Sequence, residues 1–227
     1  MLDRYTITLS HDELALVLGV DVADSYKPLY NAAPTKSLPV ISNTEPKQVS
    51  FQTWGFMTQW SNNRAMSPKF FNLPVDAALN KAGNRKKLVT NRCLIPMDGF
   101  YVWKQVAKKQ KIPYYFFFPD KKVFWVAGLW EEDDERQRSF IMITQPSNDY
   151  ISDFQEDMPF IISPSLTKNW LQSSDQNELS DILKINNNFE FASHAVSPRI
   201  ADIEKNDASL IKPTPPADQH GNYTLFS

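Results

Sequence analysis

Four runs of β-branched and aromatic residues follow one another in the middle of the chain: GFYVWK (99–104), PYYFFF (113–118), KVFWVAGLW (122–130) and SFIMIT (139–144). Residues of these types favour strands, and the runs are short and bounded by polar or turn-forming segments. We therefore expect consecutive strands in this part of the chain. The middle of the chain is predicted to be a β-rich domain.

Charged residues cluster between these runs. KQVAKKQK (104–111) and EEDDERQR (131–138) are predicted to be two hairpin tips. Residues 81–122 carry eleven basic residues against two acids, Asp98 and Asp120. The whole chain nevertheless has 24 basic and 26 acidic residues and a formal net charge of -2. Because no overall positive field is present, a binding site for an anion must be local, and the ordinary interpretation of such charged runs is solvated loops.

Outside the middle, the sequence predicts further strands and short helices. Alternation of Tyr5, Ile7 and Leu9 indicates a first strand, and Ser10 with Glu13 three residues later predicts a capped helix. The other predicted boundaries are Leu18 and Gly19 for the end of that helix, strands at 38–42 and 49–56, and helices at 75–83 and 163–172. The predicted class is α+β, with a curved, mainly antiparallel sheet or an open barrel flanked by short helices.

Length and composition indicate a folded protein with one principal domain. The chain has 227 residues, of which 42% are hydrophobic and 13% aromatic, values that exclude a disordered chain, a collagen and a coiled coil. We expect a single domain over 1–212 and a proline-rich tail over 213–227 that is extended on the domain or disordered. No signal peptide or membrane span is predicted, so the expected location is the cytoplasm, and the expected state is a monomer.

Composition alone points to no metal or cofactor. Cys93 is the only cysteine, so it cannot form an intramolecular disulfide or a cysteine-based zinc cluster, and its apolar surroundings predict a buried thiol. None of the three histidines has a second ligand at metal spacing. The dinucleotide, P-loop and G-x-S-x-G motifs are also missing, and no cofactor is expected.

A series of short motifs runs nearly from end to end of the chain. In order, they are MLDRY (1–5), YNAAPT (30–35), WGFMTQW (54–60), NRCLIPMDGFYVWK (91–104), KIPYYFF (111–117), AGLW (127–130), DMPFIIS (157–163) and HAVSPRI (194–200). The series resembles that of the SOS-response-associated peptidase (SRAP) family, also called abasic-site processing proteins. The family's corresponding motifs include MCGRY, YNxAPT, WGLxPxW and RRCLxPxDGFYEWK.

This resemblance implies chemistry on single-stranded DNA. Family members lose Met1 and expose a cysteine, whose amine and thiol condense with the aldehyde of an abasic site to form a thiazolidine crosslink. A glutamate in GFYEW and a histidine in IHDRMP transfer protons. An asparagine in NARAET orients the sugar, and arginines hold phosphates.

The chain departs from the family at most of these positions. The cysteine position is Leu2, whose bulk is also expected to prevent removal of Met1. The glutamate position is Val102 and the histidine position is Gln155, so neither can titrate near neutral pH. Only the asparagine remains, as Asn72. Positive charge is lost as well, because the family's basic positions correspond to Pro74 and Asp157.

Several other residues match the family, namely Arg4, Asn31, Asn72, Trp103 and Thr144. They are candidate nucleic-acid-binding residues, although each could equally serve the fold alone. The leading hypothesis is therefore a catalytically degenerate SRAP protein that retains weak binding of single-stranded or abasic DNA, through Arg4, Trp103 and the basic stretch 81–111.

Two alternatives stay open. The first is a scaffold that binds a protein or a small molecule in the cleft that holds the reactive residues in the family, lined here by Leu2, Val102 and aromatic side chains. A neutral or acidic cleft would favour this alternative. The second is an abasic-site lyase, in which the amine of Met1 forms a Schiff base without any thiol.

Overall fold

The computed structural model describes residues 2–55, 71–185 and 187–223. Four sequence predictions fall partly or wholly outside these ranges: the role of Met1, the last residue of the strand predicted at 49–56, the part of WGFMTQW after Gly55, and the last four residues of the tail. No helix within the described ranges is long and apolar enough to cross a membrane.

A five-stranded sheet carries the N-terminal segment of the chain. Its strands, all antiparallel to their neighbours, have the order β13-β8-β7-β1-β2. Their bounds are Tyr5–Ile7 for β1, Leu29–Ala32 for β2, Gly99–Ala107 for β7, Gln110–Phe117 for β8 and Ala192–Ala195 for β13. Strands β7 and β8 form the first predicted hairpin, with its lysine-rich tip between them.

A second sheet closes into a barrel. Its bounds are Ser37–Ser42 for β3, Ser50–Trp54 for β4, Asn72–Pro74 for β5, Arg92–Met97 for β6, Phe124–Glu132 for β9, Arg138–Pro146 for β10, Asp157–Pro159 for β11 and Ile161–Ile162 for β12. Strand β10 pairs with both β9 and β4, which closes the ring β4-β3-β6-β9-β10. Only the pairings of β10 with β4 and β5 are parallel in the described sheets. The predicted α+β class and mainly antiparallel sheet are confirmed.

Short helices flank the sheets. They are α1 at His11–Leu18, α2 at Val75–Asn80, α3 at Ala82–Thr90, α4 at Thr167–Gln172 and α5 at Gln176–Ile182. Helix α1 is confirmed in detail: Ser10 and Glu13 form a capping box, and Gly19 ends the helix at a φ of 62°. The helix predicted over 75–83 ends at Asn80, and the one predicted over 163–172 begins with a 3-10 turn at Pro164–Leu166.

The two faces of the five-stranded sheet differ in what they contact. Alternate strand residues point to opposite faces. On the inner face, Phe100, Val102 and Phe116 join the largest buried cluster, together with barrel residues. On the outer face, Tyr101 and Tyr115 pack against the C-terminal segment through Ile200 and Leu210.

The described part of the tail, 213–223, lies against the protein. Thr214 donates its backbone N–H to the Ala195 carbonyl at 3.0 Å. Farther along, Gln219 accepts the Lys111 backbone N–H at 2.7 Å and donates to the Lys109 carbonyl at 2.6 Å. These contacts hold residues 213–223 beside the β7–β8 hairpin.

Candidate functional site

Leu2 and Asn72 are in direct contact, although 70 residues separate them. The Asn72 side-chain Nδ2 donates to the Leu2 carbonyl at 2.5 Å. Asn72 reaches this position because β5 pairs with β10, where Met142 is its register partner. The Leu2 side chain is 0% exposed and belongs to the inner-face cluster. Residue 2, which the motif MLDRY aligns with the cysteine of MCGRY, therefore has a fully buried apolar side chain.

Val102 closes the same region from β7. It is 0% exposed, lies in the same cluster as Leu2, and has Tyr114 of β8 as its register partner. A glutamate at this position would put a carboxyl group next to the residue-2 position. Valine instead extends the apolar packing and can neither donate nor accept a proton.

The segment after β10 reaches the inner face through Phe154. The Phe154 ring lies 4.9 Å from the Tyr114 ring and 5.0 Å from the Phe116 ring, centroid to centroid. The Lys104 ammonium lies 4.5 Å above the Phe154 ring. Next to Phe154, the Gln155 side-chain amide donates to the Asp157 carbonyl. Gln155, the residue expected at the family's proton-transfer position, is therefore a neutral amide in a local turn.

Asp3 and Arg4 form the polar part of the region. The Arg4 Nη1 lies 2.6 Å from the Asp3 carbonyl and 3.7 Å from its carboxylate Oδ2. Burial raises the pKa of Asp3, and the charges of Arg4 and Lys111 oppose that rise. A carboxyl group at residue 3 thus offsets part of the positive charge that Arg4 supplies.

Unpaired polar atoms mark this region. Asp3 Oδ1, Arg4 Nε and Asn72 Oδ1 are buried and have no hydrogen-bond partner among the residues that the structure describes. Native proteins leave few buried polar atoms unpaired. We call the group Leu2, Asp3, Arg4, Asn72 and Val102 the N-terminal site, and its three unpaired atoms are candidate partners for a polar ligand or water.

The other candidate residues lie elsewhere. Asn31 donates its amide to the carbonyls of Ile200, Asp202 and Lys205 at 3.0 to 3.2 Å. Trp103 is on the outer face, packed against the cluster that contains Tyr101. Thr144 is 3% exposed, with Pro74 and Pro159 as its register partners. The structure therefore does not bring Asn31 and Trp103 into the N-terminal site, whereas Thr144 lies two residues along β10 from Met142, the register partner of Asn72.

The basic stretch 81–122 is divided by the fold. In α3, Lys87 pairs with Glu131 at 2.5 Å, and near the β8–β9 turn Lys122 pairs with Asp120 at 2.9 Å. Lys104 and Lys111 belong instead to the β7–β8 hairpin, where they interact with Phe154 and Asp3 respectively. Within this basic stretch, the described residues seen to interact near the N-terminal site are the hairpin lysines Lys104 and Lys111.

Cys93 cannot replace the missing thiol. It is fully buried on β6, and its backbone carbonyl accepts the Trp170 indole N–H at 2.9 Å. Burial raises the pKa of the Cys93 thiol well above its ordinary value, so the thiolate is disfavoured. The described residues contain no group of three His, Cys, Asp or Glu side chains placed to hold a metal ion.

Comparison with protein families identifies what this arrangement belongs to. The family model described as SOS response associated peptidase (SRAP) matches residues 1–203. The chain belongs to the SRAP family. This SRAP protein is 27% identical over 223 residues to the abasic site processing protein YoqW of Bacillus subtilis, covering 93% of this chain and 99% of that one. It is 26% identical to YoaM of the same organism, which is also named an abasic site processing protein, over 93% of this chain and 97% of that one.

Solved structures share the fold of the SRAP protein. A crystal structure of a Bacteroides thetaiotaomicron protein matches 93% of this chain and 99% of its own at a TM-score of 0.77, with 20% identity. A Bordetella bronchiseptica protein matches 86% of this chain and 99% of its own at a TM-score of 0.70, with 16% identity. These structures show the shared fold, while the family model and the Bacillus relatives confirm the resemblance of the motifs to SRAP proteins.

Two residues of the SRAP protein's site, Asp3 and Phe154, were not predicted from the sequence. Asp3 stands where the family opening MCGRY has glycine, and that difference was the available signal for an added carboxyl group. Phe154 precedes Gln155 directly, but its contacts with Tyr114 and Phe116 join segments that are far apart in the chain. No local pattern indicates such contacts.

Proposed function

We propose that this SRAP protein binds single-stranded DNA at an abasic site without forming the covalent crosslink of its family. The observation that carries the proposal is the hydrogen bond from Asn72 to the Leu2 carbonyl. It supports the alignment of residue 2 with the family's cysteine, and the side chain there is fully buried and lacks a thiol.

Loss of proton transfer supports the same proposal. Ring opening of the sugar and condensation with an amine both need a positioned acid and base. Val102 and the Gln155 amide supply neither, and the second is engaged with the Asp157 carbonyl. Residues that bind without reacting are retained: Asn72 Oδ1 can accept from a sugar hydroxyl, and Arg4 Nε can donate to a phosphate.

The charges that frame the N-terminal site favour a second candidate function. Arg4, Lys104 and Lys111 are balanced by three acids, Asp3, Glu156 and Asp157. A neutral cleft binds DNA less strongly than a basic one, because phosphate contacts supply most of the affinity. The second candidate is therefore a site for a neutral or zwitterionic small molecule at the same unpaired polar atoms.

Fluorescence anisotropy separates the two candidates. A labelled single-stranded oligonucleotide with one tetrahydrofuran abasic analogue is titrated at several salt concentrations, beside the same oligonucleotide with an intact base. Three phosphate contacts, from Arg4, Lys104 and Lys111, predict a slope of log K against log salt of about -2. The abasic strand should bind more tightly than the intact one.

The Arg4→Gln variant should weaken binding and make the slope shallower by roughly 0.7. Lys47→Gln, an exposed lysine remote in sequence from the site motifs, is the matched control and should change neither value. Absence of binding at about 50 mM salt to either strand would overturn the DNA proposal and leave the small-molecule candidate.

A further inference from the structure

A cavity of about 530 Å³ lies on the outer face of the five-stranded sheet. We call it the outer cavity. Tyr115 and Phe117 of β8 line it, while their strand neighbours Tyr114 and Phe116 belong to the inner-face cluster. The segment that includes Ile211 and Lys212 borders it on the other side. Its volume is within the range of small-molecule sites, and it lies across the sheet from Leu2 and Val102, which belong to the inner-face cluster.

Asp98 supplies a buried carboxylate at the floor of the outer cavity. It is 6% exposed, and three donors already bind it. Thr6 Oγ1 donates to Oδ1 at 2.5 Å, while the Thr8 backbone N–H and hydroxyl donate to Oδ2 at 2.5 and 2.6 Å. An ionised carboxylate has about four acceptor positions, so one position on Oδ1 remains open.

Tyr115 adds a second acceptor to the floor. Burial, and then the charge of Asp98, raise the pKa of Tyr115, so its hydroxyl keeps its proton. Thr6 gives its only hydroxyl proton to Asp98, so in the 2.9 Å contact Tyr115 donates to Thr6. The remaining lone pairs of the Tyr115 oxygen are then left to accept.

The position of the Tyr115 hydroxyl depends on a glycine. A Cβ atom built on Gly99 would lie 2.2 Å from that oxygen, closer than any real contact. Only glycine at 99 therefore lets the hydroxyl approach β7 and meet Thr6. The floor of the outer cavity is a built arrangement of Thr6, Asp98, Gly99 and Tyr115.

His194 contributes a third acceptor. Its Nε2 lies 2.9 Å from the Ile211 carbonyl, which can only accept, so Nε2 carries a proton. In the neutral ring, Nδ1 is then an acceptor. The outer cavity therefore presents acceptors from Asp98, Tyr115 and His194, an arrangement that suits a ligand with an N–H donor.

The walls and mouth of the outer cavity specify the rest of a ligand. The Tyr115 and Phe117 rings are stacked at 5.4 Å and 21°, and the His194 ring lies 5.5 Å from Phe117. A planar ring can pack on this aromatic wall. Lys121 and Lys212 also line the cavity and are both exposed, so positive charge is at the mouth and negative charge at the floor.

This order favours one class of ligand. A donor belongs at the buried end, a planar ring in the middle and an anion at the mouth. An aromatic amino acid fits the order less well, because its ammonium shares a carbon atom with its carboxylate and would lie beside Lys121 and Lys212 at the mouth. A nucleoside monophosphate does fit it, since the sugar separates the phosphate from the base.

We propose that the outer cavity binds a nucleoside monophosphate whose base carries an exocyclic amino group. The amino group hydrogen-bonds to Asp98 and Tyr115, the base packs against Phe117, and the phosphate meets Lys121 and Lys212. This binding is independent of the proposed function at the N-terminal site, because the two sites are on opposite faces of the sheet.

Isothermal titration calorimetry of the full chain with adenosine 5′-monophosphate and inosine 5′-monophosphate tests the floor. The two nucleotides differ at position 6 of the purine, where inosine has a carbonyl that would face the acceptors. Adenosine 5′-monophosphate should bind at least about tenfold more tightly, as expected for a hydrogen bond to a charged group. Equal affinities, tighter binding of phenylalanine, or absence of binding at millimolar nucleotide would overturn the proposal.

A double variant, Lys121→Asn with Lys212→Gln, tests the mouth. Asparagine suits position 121, where φ is 56°. The variant should lose about tenfold in affinity for the nucleotide and none for adenosine, which has no phosphate. Lys27→Gln, an exposed lysine that does not line the cavity, should leave both affinities unchanged.

Amide chemical shifts locate the bound nucleotide. Addition of adenosine 5′-monophosphate should shift Phe117 and His194 and leave Leu2 and Asn72 unchanged. Arg4→Gln, which weakens the proposed DNA binding, should not alter nucleotide binding. Shifts confined to Leu2 and Asn72, or loss of nucleotide binding in Arg4→Gln, would place the ligand in the N-terminal site and overturn the proposal.

Discussion

The inner and outer faces of the five-stranded sheet differ in how their polar positions are used. On the inner face, Leu2 and Val102, which we expect at the family's reactive positions, are both fully buried in an apolar cluster. On the outer face, Thr6, Asp98 and Tyr115 form a hydrogen-bonded network beside an open cavity. The same strands carry both faces, so one sheet can hold an apolar cluster on one face and a polar network on the other.

Placing charge on the inner face should give the largest effect. Val102→Glu restores the family's residue type in a position that is now 0% exposed. We expect the free energy of unfolding to fall by about 3 kcal/mol or more, because an unpaired carboxyl group is buried. Val106→Glu, on the same strand and 43% exposed, is the matched control and should change it by less than about 0.5 kcal/mol. Urea denaturation measures both, and equal losses would contradict the sealed inner face.

Adding a methyl group at Gly99, next to Tyr115, should lower the free energy of unfolding by less than Val102→Glu does. Gly99→Ala should lower the free energy of unfolding by about 1 to 3 kcal/mol, because the new methyl group overlaps the Tyr115 hydroxyl. Gly83→Ala, in α3 with nothing within 4 Å of a Cβ, should raise it by roughly 0.5 to 1 kcal/mol. Thermal melts measure both changes. If both variants shift the free energy of unfolding in the same direction, the Tyr115 hydroxyl does not lie against Gly99 as described.

Much of the fold could be predicted because its strands are regular. The runs at 113–118 and 139–144 lie within β8 and β10 apart from Phe118, and Ser10 with Glu13 caps α1 as expected. The chain at 82–90 was not predicted to be a separate helix, since it buries only Leu88 and has no clear apolar stripe. Strand β5 is three residues long, and among the described strands it pairs with β10 alone, which no local pattern indicates.

The candidate site could be predicted only through family motifs. Those motifs placed Leu2, Asn72 and Val102 at related positions, and the structure brings Leu2 and Asn72 into contact. Trp103 follows Val102 directly on β7, so its side chain points to the outer face. The family motifs did not indicate this orientation. The three carbonyls that Asn31 binds come from a later segment, 200–205, so its contacts depend on tertiary structure.

Two asparagines should respond differently to removal of their amides. Asn31→Ala should lower the free energy of unfolding by roughly 1 to 3 kcal/mol, because three carbonyls lose their donor. It should leave affinity for abasic single-stranded DNA unchanged. Asn72→Ala should cost about 1 kcal/mol and also weaken that affinity several-fold. Denaturation and anisotropy on the same preparations test this, and equal DNA affinities for the two variants would contradict the role of Asn72.

Removal of the Asp3 carboxyl should give the smallest effect. Asp3→Asn deletes a negative charge beside Arg4, so affinity for an oligothymidylate should rise about threefold at low salt. The pKa of Asp3 is raised from 3.8, so its carboxylate gains a proton at a higher pH than an ordinary aspartate does. As the pH falls through that pKa, wild-type affinity should approach that of the variant. If the difference in DNA affinity between the wild-type protein and Asp3→Asn stays constant from neutral to acidic pH, the Asp3 carboxylate is not its cause.

The central claim, binding without crosslinking, is tested most directly by intact-protein mass spectrometry. The protein is incubated with a single-stranded oligonucleotide that contains one true abasic site, with and without borohydride, under conditions in which anisotropy shows binding. A Leu2→Cys variant whose Met1 has been removed supplies an amine and a thiol and is the comparison. The account predicts that the wild-type protein keeps its unmodified mass in both samples. A wild-type adduct of oligonucleotide mass, in either sample, would contradict it.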